Sequence, residues 1–349
     1  MRILLIYRGL PADAPPLGQE LIDRETTHAS QTGYILLLRE LQKLGHGVAV
    51  YSPDTGVGRE FPIVTATKGF DVALIWKRRG LSTASNEYID ISCCPIRAIW
   101  YDNVSLSLPE HLNLTHFLWA TQEIEQENIW KFPNRVHAVI EHASNITARV
   151  DPKQILHEGL FLGRLMGWYI DSLQAVAKER EMVAYALKIE KPSGGFWNFR
   201  PGKYIPEELN EASRLLGKNI IIRPACNAQR EAQLLSSYSW GLVTAANQKP
   251  RQVTSSSKIW DYWHLGLPVF CDERVPEIRH LFSSPIWAGE GFDYQSPTSI
   301  TVGIERLNYI LRNDGYPSRC AIRDWAEANH TYRQRAKEFE NAFYAKATY

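Results

Sequence analysis

The chain has 349 residues, a length that predicts two domains at roughly 100–200 residues each. Hydrophobic residues make up 44% and charged residues 22%, which excludes collagen-like, low-complexity and disordered chains. Lys and Arg total 39 against 38 Asp and Glu, so the net charge of +1 offers no overall field for nucleic acid, and we expect no nucleic-acid partner.

The first part of the sequence alternates strand patterns with helix patterns. Residues 3–7 form a continuous apolar run, which is typical of a strand buried on both faces. Ser30 offers an N-cap, and leucines recur at helical spacing from Leu37 to Gly45, so a helix is predicted there. Further strands are predicted at 48–51, 71–76, 97–101, 116–120 and 136–140. This alternation predicts βαβ units and a parallel sheet.

The second part repeats the same rhythm. Polar, irregular sequence at residues 145–158 predicts a crossing between two domains. Strands are then predicted at 159–163, 182–187, 219–222, 240–244 and 267–271, and helices at 206–216, 230–238 and 257–265. Apolar residues from Ile322 to Phe343 recur at near-whole helical turns, so one long amphipathic helix is predicted to close the chain. The predicted fold class is α/β, with two doubly wound units.

Several common signatures are absent from the sequence. It contains no G-x-G-x-x-G, G-x-x-x-x-G-K-[ST], G-x-S-x-G or H-E-x-x-H motif, so the standard marks of nicotinamide enzymes, P-loop NTPases, esterases and zincins are missing. The Asp-x-Asp pattern that often holds a divalent ion is missing too, and we expect a site without metal. Five cysteines without C-x-x-C spacing, no export signal and no long apolar run predict a cytoplasmic protein with reduced thiols.

The most informative stretch is residues 254–269. Ser257 can cap a helix, which places Lys258 in the first turn, where the positive end of the helix dipole disfavours a cation. We therefore expect an anion to compensate, and the hydroxyls of Ser256 and Ser257 with the Lys258 ammonium predict a phosphate site. Asp261 lies one turn deeper on the same face and can accept hydrogen bonds from a ribose diol. The alternative is a solvated serine-rich cap with a surface ion pair between Lys258 and Asp261.

Three segments resemble glycosyltransferase family four in the order in which they occur. They are Thr32-Gly33 with Leu44-Gly45-His46-Gly47-Val48, the strand and Gly-Arg turn of Gly159-Leu160-Phe161-Leu162-Gly163-Arg164-Leu165, and the motifs Ser-Lys-x-x-Asp-Tyr, Gly-x-Pro-Val and Val-Pro-Glu-Ile within residues 257–278. The pattern spans residues 1–290, and its last segment is the specific one.

The resemblance implies a GT-B fold, in which two Rossmann-like domains face a cleft. Residues 1–148 would form the acceptor-side domain and residues 149–316 the domain that binds a nucleotide sugar. Residues 317–349 would form a helix that crosses back to the first domain. The implied reaction moves a sugar from a nucleotide diphosphate donor, without a further cofactor, to a glycan, lipid-linked or small-molecule acceptor. Peripheral contact with a membrane stays open.

The resemblance also implies roles for individual residues. Arg164 and Lys258 would neutralise the donor diphosphate, and Asp261 would bind the ribose. Gly33 would let the backbone of the opposite domain approach the phosphates. A leaving nucleoside diphosphate gains charge in the transition state, so fixed cations suit this chemistry without a metal.

Asp102 is a further catalytic candidate. It follows the predicted strand 97–101 directly, at the edge where parallel strands present residues that face ligands. It would act as a base or orient the acceptor. The alternative is a carboxylate that caps the loop at Asn103.

Two positions depart from the family pattern. Val253 stands where a Glu is usual, eight residues before Asp261, and the segment 166–169 lacks the usual Lys after the Gly-Arg turn. Retention or inversion at the anomeric carbon therefore stays open. The alternatives are a nucleotide-sugar epimerase, a phosphorylase, or a two-domain ligand-binding protein of the same architecture without chemistry.

Overall fold

The computed structural model describes residues 1–6, 29–51, 61–76, 89–102, 113–146, 148–150, 158–199, 204–245 and 258–345. These residues form two compact units. The first unit contains the described residues up to His142, apart from Ala29, and those from Tyr332 onward. The second contains Ala29 and the described residues from Ala143 to Thr331. The units thus divide after His142 and after Thr331, whereas the sequence analysis expected divisions after residues 148 and 316.

The first unit is built on a seven-stranded sheet in the order β3-β2-β1-β4-β5-β6-β7. Its strands are β1 (Arg2–Ile6), β2 (Gly47–Tyr51), β3 (Ile63–Val64), β4 (Val72–Trp76), β5 (Ile96–Tyr101), β6 (His116–Trp119) and β7 (Val136–Val139). All neighbouring strands in it are parallel. The predicted parallel sheet is confirmed, and the short edge strand β3 was not predicted.

Two α-helices of this unit precede its last strand among the described residues, α1 (Ala29–Lys43) and α2 (Gln122–Asn128). Helix α1 begins at Ala29, so Ser30 lies inside the helix, and the prediction that Ser30 is the N-cap was wrong. The buried face of α1 includes Tyr34, Leu37 and Leu41, at the three- and four-residue spacing that covers a sheet.

The second unit has the order β11-β9-β8-β12-β13-β14, which is the doubly wound order of a Rossmann-like sheet. Its strands are β8 (Gly159–Leu165), β9 (Met182–Glu190), β10 (Phe196–Asn198), β11 (Ile220–Pro224), β12 (Trp240–Val243), β13 (Val269–Asp272) and β14 (Gly289–Phe292). Strand β10 pairs antiparallel with the end of β9, and the other pairs are parallel. The sequence analysis predicted neither β10 nor β14.

The helices of the second unit are α3 (Gly167–Glu179), α4 (Pro206–Leu216), α5 (Ala232–Leu235), α6 (Lys258–His264), α7 (Arg279–Ser283) and α8 (Pro297–Asn329). Two apolar clusters cover the sheet, and alternate residues of β8 belong to different clusters. Leu160 and Leu162 lie in one and Phe161 in the other, as the two-residue period of a strand requires. All seven residues of α6 are buried.

The chain ends in two helices, α8 and α9 (Tyr332–Tyr344), where one long helix was predicted. His330 leaves helical geometry with φ −129° and ψ 41°, and this break separates them. Ile322 therefore lies on α8 in the second unit, and Phe339 lies on α9 in the first. None of the helices in the described part of the chain is long and apolar enough to cross a membrane.

Candidate active site

Lys258 is the first residue of α6, and its ammonium group lies between two aromatic rings. Its Nζ atom is 4.2 Å from the centroid of the Phe161 ring on β8 and 4.9 Å from that of Tyr169 on α3. Ring faces attract cations, so the two rings stabilise the charged form of the lysine. Tyr169 belongs to the segment in which the family resemblance implies a lysine, and here its ring contacts a lysine from another helix instead.

The pairing of β8 with β9 is irregular beside Arg164. The register between β8 and β9 shifts between Gly163 and Arg164, and Gly163 has φ +127°, which side chains with a Cβ rarely adopt. In a regular strand, residues 161 and 164 would lie on opposite faces. The extra residue lies on β9, where Leu187 falls between the partners of Gly163 and Arg164, so the alternation of β8 itself continues and Phe161 and Leu165 belong to the same apolar cluster.

The surroundings of Lys258 oppose its charge. Its residue surface is only 9% exposed. Burial and, to a lesser extent, the nearby Arg164 guanidinium lower the pKa of Lys258 to about 7, and Asp261 acts in the opposite direction. An anion placed beside Arg164 and Lys258 would remove this repulsion.

Asp261 lies one turn further along α6 and is 2% exposed. Its Oδ1 atom accepts a hydrogen bond of 2.6 Å from the hydroxyl group of Ser144. Burial raises the pKa of Asp261 to about 7, against the Ser144 hydrogen bond and the charge of Lys258, which both lower it. The alternative of a solvated surface ion pair between Lys258 and Asp261 does not hold, because both groups are buried.

Helix α6 is held in place by its own aromatic residues. The backbone N–H of Leu162 on β8 donates to the Tyr262 hydroxyl at 2.9 Å, and the ring of Tyr262 fills the space beside Gly241 on β12. The indole N–H of Trp263 donates to the carbonyl oxygen of Ala288 at 3.0 Å. These contacts fix the helix that carries Lys258 and Asp261 against the sheet.

Asp102 follows β5 in the first unit, as predicted, and its side chain is 22% exposed. Its Oδ2 atom lies 3.8 Å from Nε2 of the buried His142, which pairs with it when the imidazole is protonated. The ring of His142 meets the Trp100 ring edge-on at 4.8 Å, and its carbonyl oxygen accepts a hydrogen bond from Arg335 on α9. Asp102 thus has a histidine partner that the sequence did not reveal.

Gly33 lies within α1, not in a loop before the helix. A Cβ atom at this position would overlap the hydroxyl group of Tyr332, the first residue of α9. The structure therefore gives Gly33 a packing role in the first unit. Its approach to donor phosphates stays a prediction.

The structure brings three of the predicted residues together in the second unit, namely Arg164, Lys258 and Asp261. Ser256 and Ser257 lie outside the described residues. The sequence analysis did not find Ser144, Phe161 or Tyr169. The aromatic pair could be recognised only by its distance to Lys258, and Ser144 lies directly before the stretch 145–158 that is predicted to cross between the domains.

No protein-family model matches this sequence, and no curated protein sequence matches it. Solved structures do match over nearly the full length. AviGT4, a glycosyltransferase involved in Avilamycin A biosynthesis, aligns with a TM-score of 0.63 at 15% identity over 98% of this chain and 96% of that chain. A glycosyltransferase from Rickettsia africae ESF-5 aligns with a TM-score of 0.63 at 11% identity over 98% and 97%.

WaaG, a glycosyltransferase involved in lipopolysaccharide biosynthesis, aligns with a TM-score of 0.58 at 10% identity over 99% of this chain and 100% of that chain. Such low identities carry information on the fold rather than on the substrate. Together with the two doubly wound sheets, they establish that this chain has the GT-B fold.

Proposed function

We propose that this protein is a glycosyltransferase that moves a sugar from a nucleotide diphosphate donor to an acceptor hydroxyl group. One observation carries the proposal: Arg164, Lys258 and Asp261 come together at the end of β8 and the start of α6. Ligands of doubly wound sheets bind at the carboxyl ends of the strands. The three solved structures named above are glycosyltransferases, which supports the same class of reaction.

In this proposal, Arg164 and Lys258 bind the diphosphate of the donor. Two buried or half-buried cations in one place suit a ligand that carries several negative charges. The charge on the diphosphate grows as the bond to the sugar breaks, so fixed cations stabilise the transition state more than the ground state. In this scheme the two side chains take the part that a divalent ion plays in other transferases.

Asp261 binds the ribose of the donor in the same proposal. A carboxylate can accept hydrogen bonds from two vicinal hydroxyl groups, and Asp261 lies on the same helix face as Lys258, one turn away. On the acceptor side, Asp102 is the carboxylate that we propose to orient or deprotonate the acceptor hydroxyl, with His142 as its partner.

The proposal is tested first by binding. UDP, GDP, ADP and dTDP are each added to the protein, and the unfolding temperature is measured. A ligand at 100 times its Kd stabilises a protein by about 2.7 kcal/mol, so one of the four should raise the unfolding temperature clearly. Lys258→Met should reduce the shift. Lys191→Met is the matched control, because Lys191 also lies over an aromatic ring, 5.4 Å from the centroid of Trp197.

Turnover distinguishes transfer from the alternatives. Nucleotide sugars with the best-bound nucleotide are incubated with and without a panel of sugar, lipid-linked and small-molecule acceptors. Release of nucleotide that depends on an acceptor supports the transferase. Release without an acceptor would favour an epimerase-like enzyme, and binding without any release a ligand-binding protein. Absence of a shift with all four nucleotides would overturn the proposal.

A further inference from the structure

Ser144 is held more tightly than a linker residue needs to be. It is 1% exposed, and three hydrogen bonds fix it. Its backbone N–H donates to the carbonyl oxygen of His330 at 3.2 Å, and its Oγ atom accepts from the backbone N–H of Ile146 at 3.3 Å. The remaining bond joins its hydroxyl group to Asp261.

These bonds determine the direction of the hydroxyl hydrogen. An ionised carboxylate can only accept hydrogen bonds, so the Ser144 hydroxyl group donates to Asp261 while its oxygen accepts from the N–H of Ile146. The short distance of 2.6 Å to Oδ1 of Asp261 is typical of a hydroxyl that donates to a charged oxygen. Among the described residues Oδ2 of Asp261 accepts no hydrogen bond from a side chain, which leaves this oxygen for a ligand.

The ionised form of Asp261 depends on few groups. Lys258 faces the Asp261 carboxylate from the same helix, and Tyr262 is the next residue after Asp261 in α6. Arg164, on β8, lies near Lys258. On the linker side Ser144 donates to it, and His330 offers Ser144 a carbonyl oxygen while its ring stacks on Trp260. Burial raises the pKa of Asp261, so each donor that favours the carboxylate matters.

We propose that Ser144 is a positioning residue for the ribose of the donor nucleotide: it holds Oδ1 of Asp261 and directs Oδ2 toward the ribose hydroxyl groups. The inference rests on the proposed function, because it concerns the same nucleotide site. It assigns to Ser144 a part of the specificity for ribose, although its own hydroxyl group is already committed to Oδ1 and Ile146. Loss of this hydroxyl group should weaken the recognition of ribose and leave phosphate binding intact.

The experiment compares two ligands over a range of pH. The best binder among UDP, GDP, ADP and dTDP is titrated beside its analogue without ribose hydroxyl groups, and the ratio of their Kd values reports the ribose contribution alone. In Ser144→Ala this ratio should fall by about tenfold at neutral pH, the size expected for one hydrogen bond to a charged group. The pH at which the ratio reaches half its maximum should rise by about one unit.

Two further variants separate this role from a structural one. Ser236→Ala removes another buried serine hydroxyl of the same unit, which donates to the carbonyl oxygen of Gln233, and its profile should match that of the wild type. If Ser144→Ala does not fold, Ser144→Cys is measured instead, since it keeps the shape and weakens the donor. If the ratio of Kd values in either Ser144 variant depends on pH as it does in the wild type, this inference alone is overturned. A wild-type protein that binds no nucleotide overturns the proposed function as well.

Discussion

Gly33 and Tyr332 pack so closely that the Tyr332 hydroxyl group occupies the place of a Cβ atom at residue 33. Both residues belong to the first unit, and both are buried. Gly33 lies near the start of α1, and Tyr332 is the first residue of α9. The absence of a side chain at position 33 is therefore what lets α9 lie against α1.

Gly33→Ala should destabilise the protein. In a free helix the change would favour folding by up to about 1 kcal/mol, but overpacking in a filled core costs about 1–3 kcal/mol. We expect the cost of overpacking to exceed the gain in helix propensity, because the overlap with the Tyr332 ring extends beyond its hydroxyl group. Urea unfolding measures the difference.

Tyr332→Phe tests whether the overlap with the Tyr332 hydroxyl group causes this loss. The double variant Gly33→Ala/Tyr332→Phe should recover part of the free energy of unfolding that Gly33→Ala loses, because the effects of substitutions at contacting sites are not additive. Gly47→Ala is a control at a site where the nearest atom would be 3.8 Å away, and it should show no overlap of this kind. Additive losses in the Gly33–Tyr332 pair would refute the packing explanation.

Lys258→Ala should lower kcat more than it raises KM for the donor. The reason is that the charge of Lys258 is needed most when the diphosphate leaves, and the loss of one such group commonly costs about 10²–10³ in kcat. Steady-state kinetics with Lys191→Ala as the control checks this. A variant whose only defect is a raised KM would show that Lys258 merely binds.

Nucleotide binding at pH 8 should take up protons. Burial and Arg164 lower the pKa of Lys258 to about 7, so at pH 8 the free site holds it mostly uncharged, and a bound diphosphate raises its pKa again. Calorimetry in buffers of different ionisation enthalpy should detect an uptake of at most about one proton. Lys258→Arg keeps the charge at all relevant pH values and should bind without uptake. Equal uptake in both proteins would assign the proton to another group.

Asp261→Asn should weaken donor binding chiefly through the ribose. An amide oxygen accepts hydrogen bonds less strongly than a carboxylate, while the phosphate contacts are unchanged. Removing the ribose hydroxyl groups from the ligand should therefore cost the wild type much affinity and the variant little. The same loss in both proteins would separate Asp261 from the ribose.

Sugar transfer should proceed without a divalent ion. Arg164 and Lys258 already supply two cations, and the sequence carries no Asp-x-Asp motif. Rates measured in EDTA should equal those in magnesium or manganese. Activity lost in EDTA and restored by either ion would contradict this expectation.

The central parts of both sheets could be predicted because parallel strands buried on two faces are continuous apolar runs, as at Arg2–Ile6 and Val72–Trp76. Short edge strands carry no such signal. Strand β14 has the sequence Gly-Glu-Gly-Phe, and β10 has three residues, so only their neighbours reveal them. The break between α8 and α9 was missed because the apolar spacing continues across it.

Part of the candidate site could also be predicted from a local sequence pattern. Lys258 and Asp261 are three residues apart, and helical spacing alone places them on one face. The sequence did not predict that they are buried. It did not predict the hydrogen bond between Ser144 and Asp261 either, because the two residues are distant in the sequence and meet only after folding. Helix periodicity reports neighbours within an element, whereas the groups that set the charge of a buried residue come from other elements.

The membership of α9 in the first unit has a consequence for synthesis on the ribosome. Apart from Ala29, the described residues of the second unit come from one continuous stretch, 143–331, which emerges before α9 exists. The first unit, in contrast, lacks the helix that carries Tyr332 and Phe339 until the whole of the second unit has been synthesised. The unit whose synthesis begins first is therefore the unit that completes its fold last, and the apolar side chains that α9 covers, such as Trp76 beside Phe339, stay uncovered until α9 has been made.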